Sequence, residues 1–363
     1  MNQRACESKR MRGLPGAATA GLLLGALLAA ACGCPRVCEG QTTTQTATAP
    51  EDRSLSLTPQ VRGAIERGLG YLTSRQTPDG GFKELNGRNT GVVSLAILGC
   101  LSTGAVPQRG PRGDAVARGI DFVLSHAAPS GLICNPQDTT KGTMYEHALS
   151  TLLLAETHGL YRKSGLEDAL RRAVRLIVAC QNREGGWRYE PRPADADISV
   201  SVMQLVALRA AKNAGVAVPQ ETFAAGIRYV KRCATPEGGF LYQPGTGGPG
   251  YARTAAGVCS LLTSGDYGSS EVINGIKYLQ ERKTRDRRDN AYRLYGFYYA
   301  AQVMHLAPDP RQWDEWFPVI RDELLADQQS DGHWEGEAGP IYGTAMSVLT
   351  LSVPYRYLPI YQH

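Results

Sequence analysis

Little in this sequence is long, uniformly apolar or strongly charged. The longest apolar run, Ala17–Ala31, is shorter than the roughly 20 residues of a membrane-spanning helix. Net charge is only +5 over 363 residues, and Arg4, Lys9, Arg10 and Arg12 supply part of it at the extreme N-terminus. The remainder is nearly balanced, which argues against a nucleic-acid partner. Strand-like alternation of any length is missing, so an all-β or mixed fold is not expected. Neither a P-loop nor a GxSxG elbow occurs. Gly245–Gly250 fits GxGxxG only formally, because Pro249 interrupts it and no strand precedes it. Among the scattered cysteines Cys100, Cys134, Cys180, Cys233 and Cys259 there is no C-x-x-C pair, and no cofactor or metal is expected.

The first residues read as an address rather than as structure. Basic residues precede the apolar run, and Ala29-Ala30-Ala31 offers a small-residue cleavage site, which makes 1–31 a secretory signal. Cys32 after three alanines also resembles a bacterial lipobox, although Ala29 stands where a branched aliphatic residue is usual. A lipoprotein, a soluble exported protein and an uncleaved anchor all remain open. The expected location is the periplasm or cell envelope, with membrane association through Cys32 or the signal segment. Residues 32–57 include the Thr/Gln/Ala-rich stretch Gln41–Arg53 and read as a flexible tether. Cys180 and Cys233 hold equivalent positions in neighbouring helices, roughly 8–10 Å apart, which is too far for a disulfide. Buried free thiols are expected.

From residue 58 to 363 the chain is periodic. Glycine-broken loops recur as QTPDGGF (Gln76–Phe82), QNREGGW (Gln181–Trp187), ATPEGGF (Ala234–Phe240) and QQSDGHW (Gln328–Trp334). Weaker copies sit at Pro129–Ile133 and Asp286–Asn290. The spacing of about 50 residues gives six repeats. Each opens with an amphipathic helix and, after the loop, continues into a helix apolar nearly all round. The terminal repeats carry the full loop and an apolar helix rather than polar caps. The expectation is therefore an all-α fold, a closed α/α toroid of six helix hairpins, with the apolar helices inside. Their N-termini would converge on one mouth of the ring, where unpaired N–H groups and positive dipole ends favour a site.

The loops resemble a known family. Gln181, Gly185 and Trp187 fit the QxxxGxW repeat of squalene cyclases, and Gln76/Gly80/Phe82 and Gln328/Gly332/Trp334 fit the looser form shared with protein prenyltransferase β subunits. The resemblance implies a terpenoid-cyclase-like toroid in which the Gln and the aromatic residue stitch loop to helix. The following segment is similar to the one carrying the DxDDT motif of class II triterpene cyclases, whose central Asp protonates an alkene. Asp195 and Asp197 match its first two Asp, Ser199 the Thr, while Ile198 replaces the third Asp. Those cyclases use two toroids and only one is present here. The Asp-x-Cys pair that the zinc site of prenyltransferases requires is missing.

The candidate site follows from these placements. Asp197 and Asp195 are either N-caps of the helix after them or, as the resemblance implies, an acid and its neighbour. Glu146 and His147 hold the corresponding place in repeat two and are either wall residues or an acid–base pair. Arg253, after Tyr251, either neutralises the carboxylates or binds an anion. Tyr145, Tyr292, Tyr295, Tyr342 and, with a structural role as its alternative, Trp187 complete the candidate ligand-binding set. The function expected is binding of a lipid or terpenoid in the central mouth. Terpene cyclase-like isomerisation by Asp197 is the alternative, and polysaccharide cleavage by Glu146 with the Asp pair a second one.

Overall fold

A computed structural model describes residues 56–138, 142–283 and 292–362. The signal segment, Cys32, nearly all of the tether and the repeat-five loop Asp286–Asn290 lie outside the described residues. Among the described residues the regular structure is helical, and extended pairing is limited to isolated bridges such as Gln76 with Phe82 and Ala234 with Phe240.

The outer helices are α1 (Pro59–Arg75), α3 (Gly113–Ser125), α5 (Leu166–Ala179), α7 (Gln220–Arg232), α9 (Ser270–Arg282) and α11 (Arg311–Asp327). They are amphipathic and bury one stripe, as α5 does with Leu170, Ala173, Val174 and Ile177. The inner helices are α2 (Thr90–Leu101), α4 (Thr143–Thr157), α6 (Ile198–Asn213), α8 (Tyr251–Thr263), α10 (Arg293–Leu306) and α12 (Pro340–Ser352). Every residue of α2 is buried, as its lack of a polar face requires. Successive inner helices pack side by side, and α12 packs on α2, so the ring closes.

The closing joint is made by the same atoms as the other joints. Gln181 Nε2 donates to the Thr222 carbonyl of the next outer helix (2.8 Å) and to Gly185 O in its own loop (2.8 Å). Gln76 does the same toward Ala115, and Gln328 reaches from the last repeat to Ala64 of α1 at 2.9 Å. Gly185, at φ +94°, lies so close to α7 that a Cβ would sit 2.3 Å from Ala225 O. Gly332, at φ +99°, approaches Arg67 O of α1 in the same manner. Only glycine tolerates both the left-handed backbone and the contact. The Gly of each described loop therefore meets the next outer helix, and in three repeats the Gln adds a bond to it.

The loop aromatics fasten loop to helix within a unit. Trp187 Nε1 donates to Ile177 O and Trp334 Nε1 to Leu324 O, both at 2.7 Å. The backbone N–H groups of Trp187, Phe240 and Trp334 donate to the hydroxyls of Ser201, Thr254 and Thr344 on the inner helices. Cys100, Cys134, Cys180, Cys233 and Cys259 are free thiols, all buried except the half-buried Cys134. The chain after α12 turns through two short 3-10 segments, Val353–Tyr355 and Pro359–Tyr361, against α6, α10 and α12. Buried Glu156, at the C-terminal end of α4, accepts the Ile360 N–H there (3.3 Å). Among the described residues no helix is long and apolar enough to cross a membrane.

Candidate functional site

Asp197 is the N-cap of α6, fully buried, with Oδ1 accepting the Val200 N–H at 3.0 Å. Its backbone N–H donates to Trp187 O (3.0 Å), which pins the strand-like segment before α6 to the glycine loop. The second carboxyl oxygen, Oδ2, is buried and has no hydrogen-bond partner. The nearest cation is Arg188, whose Nη1 lies 3.5 Å from it and 3.6 Å from Asp195 Oδ2. Burial raises the Asp197 carboxyl from its ordinary 3.8 to about 6; the Val200 and Ser199 N–H groups, Arg188 and the nearby Tyr242 hydroxyl oppose that rise. Capping and a raised pKa therefore coexist, because one oxygen serves the helix and the other does not.

Tyrosines surround this carboxyl. Tyr189 and Tyr242 touch through their hydroxyls. Tyr145 packs on Tyr189 with ring centroids 5.8 Å apart. Tyr295, from α10 across the ring, packs edge-on against Tyr299 and is acted on by the charge of Asp197. Burial first, and that charge second, raise the Tyr145 and Tyr295 hydroxyls well above their ordinary range, so both stay neutral donors. Tyr342 belongs to the same group and is held neutral mainly by burial. A pocket of about 410 Å³ opens beside them between the starts of α4 and α6, lined by Gly142, Arg188, Tyr189, Arg192 and Asp195. Asp195 is on its rim, exposed, and accepts from Gln243 Nε2 (3.1 Å).

Other candidates are committed elsewhere. Glu146 Oε2 accepts the Thr90 N–H (3.2 Å), the Thr90 hydroxyl and the Asn135 N–H, which caps α2 and ties it to the repeat-two loop. His147 Nδ1 accepts the Ile133 N–H (3.1 Å) and its Nε2–H donates to Ala173 O (3.2 Å). The first bond is the one that Ser201, Thr254 and Thr344 make in their repeats, and the second ties α4 to the outer helix of the next unit. Burial lowers the imidazole from 6.5 to about 4, so it is neutral. Trp187 is wholly buried and holds the loop. The geometry thus gives Glu146, His147 and Trp187 structural duties, and a glycosidase-like pair between Glu146 and the Asp residues has no support in it.

Arg253 does not neutralise the carboxylates; its Nη2 donates to Gly248 O (2.9 Å). Tyr251 accepts from Trp316 Nε1 (2.9 Å), an inter-helix bond, and Tyr292 caps α10 with an exposed ring. Arg188, Tyr189 and Tyr242 escaped the sequence reading. The signal was in the repeat itself, since Tyr189 and Tyr242 each stand two residues after the loop aromatic, Trp187 and Phe240. Among the described residues no group of three or more His, Cys, Asp or Glu is placed to hold a metal.

No protein-family profile matches the chain. Two curated relatives are drimenyl diphosphate synthases. That of Streptomyces showdoensis is 25% identical over 188 residues, 52% of this chain and 34% of the relative. That of Streptantibioticus cattleyicolor is 23% identical over 192 residues with the same coverage. The match thus spans about a third of the length of those relatives. Among solved structures, a type II terpene cyclase from Scytonema is 13% identical with a TM-score of 0.58, covering 83% of this chain and 100% of that one. The cellobiose 2-epimerase of Spirochaeta thermophila gives 0.60 at 14% identity, covering 82% and 98%. Likenesses so low in identity speak for the fold, which is shared by terpene- and sugar-acting enzymes. Sequence and structure together make the chain similar to the terpenoid cyclase-like α/α toroids.

Proposed function

We propose that the chain binds a polyisoprenoid in the mouth of the toroid and that Asp197 acts on it as a Brønsted acid. The observation that carries this reading is the Asp197 Oδ2 atom, buried and without a hydrogen-bond partner, whose charge acts on the hydroxyls of Tyr145, Tyr242 and Tyr295. An alkene is a poor base, so its protonation needs an acid held dry and a site that stabilises the resulting cation. Tyrosine faces provide the second condition through their negative π-density. A carboxyl titrating at about 6 keeps a protonated fraction near neutrality. The relatives' printed activity, drimenyl diphosphate synthesis, and the Scytonema cyclase solved with geranylgeranyl dihydroxybenzoate as substrate support a substrate with an isoprenoid chain.

The test is incubation of the purified chain with linear polyprenyl diphosphates, and with the corresponding polyprenols, followed by mass spectrometric detection of cyclic or isomerised products. Asp197→Asn is expected to abolish turnover while tyrosine fluorescence still reports binding. Equal turnover by wild type and variant would remove the acid role; failure of either protein to bind any of these substrates would remove the isoprenoid. Export belongs to the same proposal: cell fractionation is expected to place the protein in the envelope or periplasm, and recovery from the cytoplasm alone would refute it.

A further inference from the structure

The chain lacks the third carboxylate of the DxDDT pattern, and the structure shows what stands beside the acid instead. The Arg188 guanidinium lies over the ring of Tyr189, 4.6 Å from its centroid, and over that of Tyr242 at 5.4 Å. Contact between the two tyrosine hydroxyls closes this clamp. Nη1 of Arg188 is buried and, like Asp197 Oδ2 facing it, makes no hydrogen bond. The two atoms face each other as an ion pair 3.5 Å apart, costly to bury, and are not used by the helix cap, the loop or the ring joint. Other groups acting on Asp197 are Tyr242 of the repeat-four loop, Tyr145 of α4, Tyr229 of α7 with the adjoining Cys233, and Tyr295 of α10, while Asp195 and Tyr189 from the same loop share Arg188 with it. Arg188 is the cation among them.

We propose that Arg188 is the positioning residue of Asp197: it faces the oxygen that surrenders the proton and receives the negative charge left there. This rests on the acid reading above. In that step the alkene π electrons form a C–H bond with the Asp197 proton, the O–H bond electrons stay on the carboxyl, and the products are a carboxylate and a carbocation. The carboxylate is born against Arg188, the cation among tyrosine faces. Asp195 draws on the same Nη1 atom, so it weakens the effect.

The experiment is a carbon-13 NMR titration of aspartate side-chain carboxyls in the folded full chain without substrate, with Asp197→Asn supplying the assignment. Arg188→Gln is expected to move the Asp197 midpoint upward by about one pH unit or more, the usual effect of an adjacent arginine. Arg188→Lys keeps the charge but not the flat stack and is expected to move it less. Asp195→Asn removes a like charge and is expected to move it downward, a pair of opposite shifts that loss of packing does not produce. A midpoint within about 0.2 of wild type in Arg188→Gln, or an upward shift in Asp195→Asn, overturns the proposal. Should circular dichroism show Arg188→Gln unfolded, Arg188→Met removes the same charge, and a midpoint within about 0.2 of wild type there overturns the proposal. Shifts as stated in a protein that turns over no polyprenyl substrate refute the acid reading and leave the assignment of Arg188 standing.

Discussion

Replacing Asp197 by Asn separates what the carboxyl costs the fold from what it supplies to chemistry. In the folded chain burial takes this group from 3.8 to about 6. Ionising it therefore costs about 3 kcal/mol more in the folded protein than in the unfolded chain, at ~1.4 kcal/mol per tenfold change. Between those two values the folded state holds a proton that the unfolded state has released. The contribution of this group to wild-type stability must then fall as pH rises from about 4 to about 6 and stay low above that. Asn copies the protonated form and caps a helix about as well as Asp, so the Val200 bond survives. At pH 8 the variant is expected to be more stable by about 2–3 kcal/mol, and at pH 4 the two proteins should agree within about 0.5 kcal/mol. Urea unfolding followed by tryptophan fluorescence at both pH values measures this. A variant less stable than wild type at pH 8, or equally advantaged at both, would mean that Asp197 is an ordinary cap and that the balance drawn from burial is mistaken.

His147→Ala strands the Ile133 N–H and the Ala173 carbonyl in the core and is expected to cost about 2–4 kcal/mol, read by the same unfolding assay. In wild type, His147 stays neutral to about pH 4; its contribution is complete above pH 6.5 and is lost as pH falls toward 4, by about 3 kcal/mol in all. Gly185→Ala collides with Ala225 O, whereas Gly159→Ala, also at positive φ, meets nothing within 4 Å. The first should lower stability by more than ~3 kcal/mol and the second by about 1 kcal/mol. Glu156, which burial raises from 4.5 to about 8, holds Ile360 through its carboxyl. Glu156→Gln should remove the part of the decline of stability between pH 4.5 and 8 that this group causes, leaving that of Asp197, with slower exchange of the Ile360 amide at pH 9 as the local readout.

The repeat was legible because its signal is redundant. Gln76, Gln181 and Gln328 stand at the same point of the loops Gln76–Phe82, Gln181–Trp187 and Gln328–Trp334, and each makes the same bond to the next outer helix. The apolar helices α2 and α12 have no face that water would accept, so their place inside the ring follows from composition. Asp197 at the start of α6 was legible for a local reason, since a cap is read from its own helix.

Partners across the fold were not legible. Glu146 and His147 look like an acid–base pair in one dimension, yet Thr90, Asn135, Ile133 and Ala173 bond to them, two from other helices and two from the loop before α4. Arg253 and Arg188 carry the same charge and both stand near a helix start. The choice between them turned on which loop bends its arginine back over two tyrosines from successive repeats. Sequence alone thus determined the six-hairpin ring and the candidate acid, because periodicity and capping are local properties. Only tertiary structure decided which carboxyl oxygen was left without a hydrogen bond, because its surroundings include Tyr145 and Tyr295, some fifty to a hundred positions away in the chain, and its counter-charge depends on how the loop carries Arg188 back to the helix start.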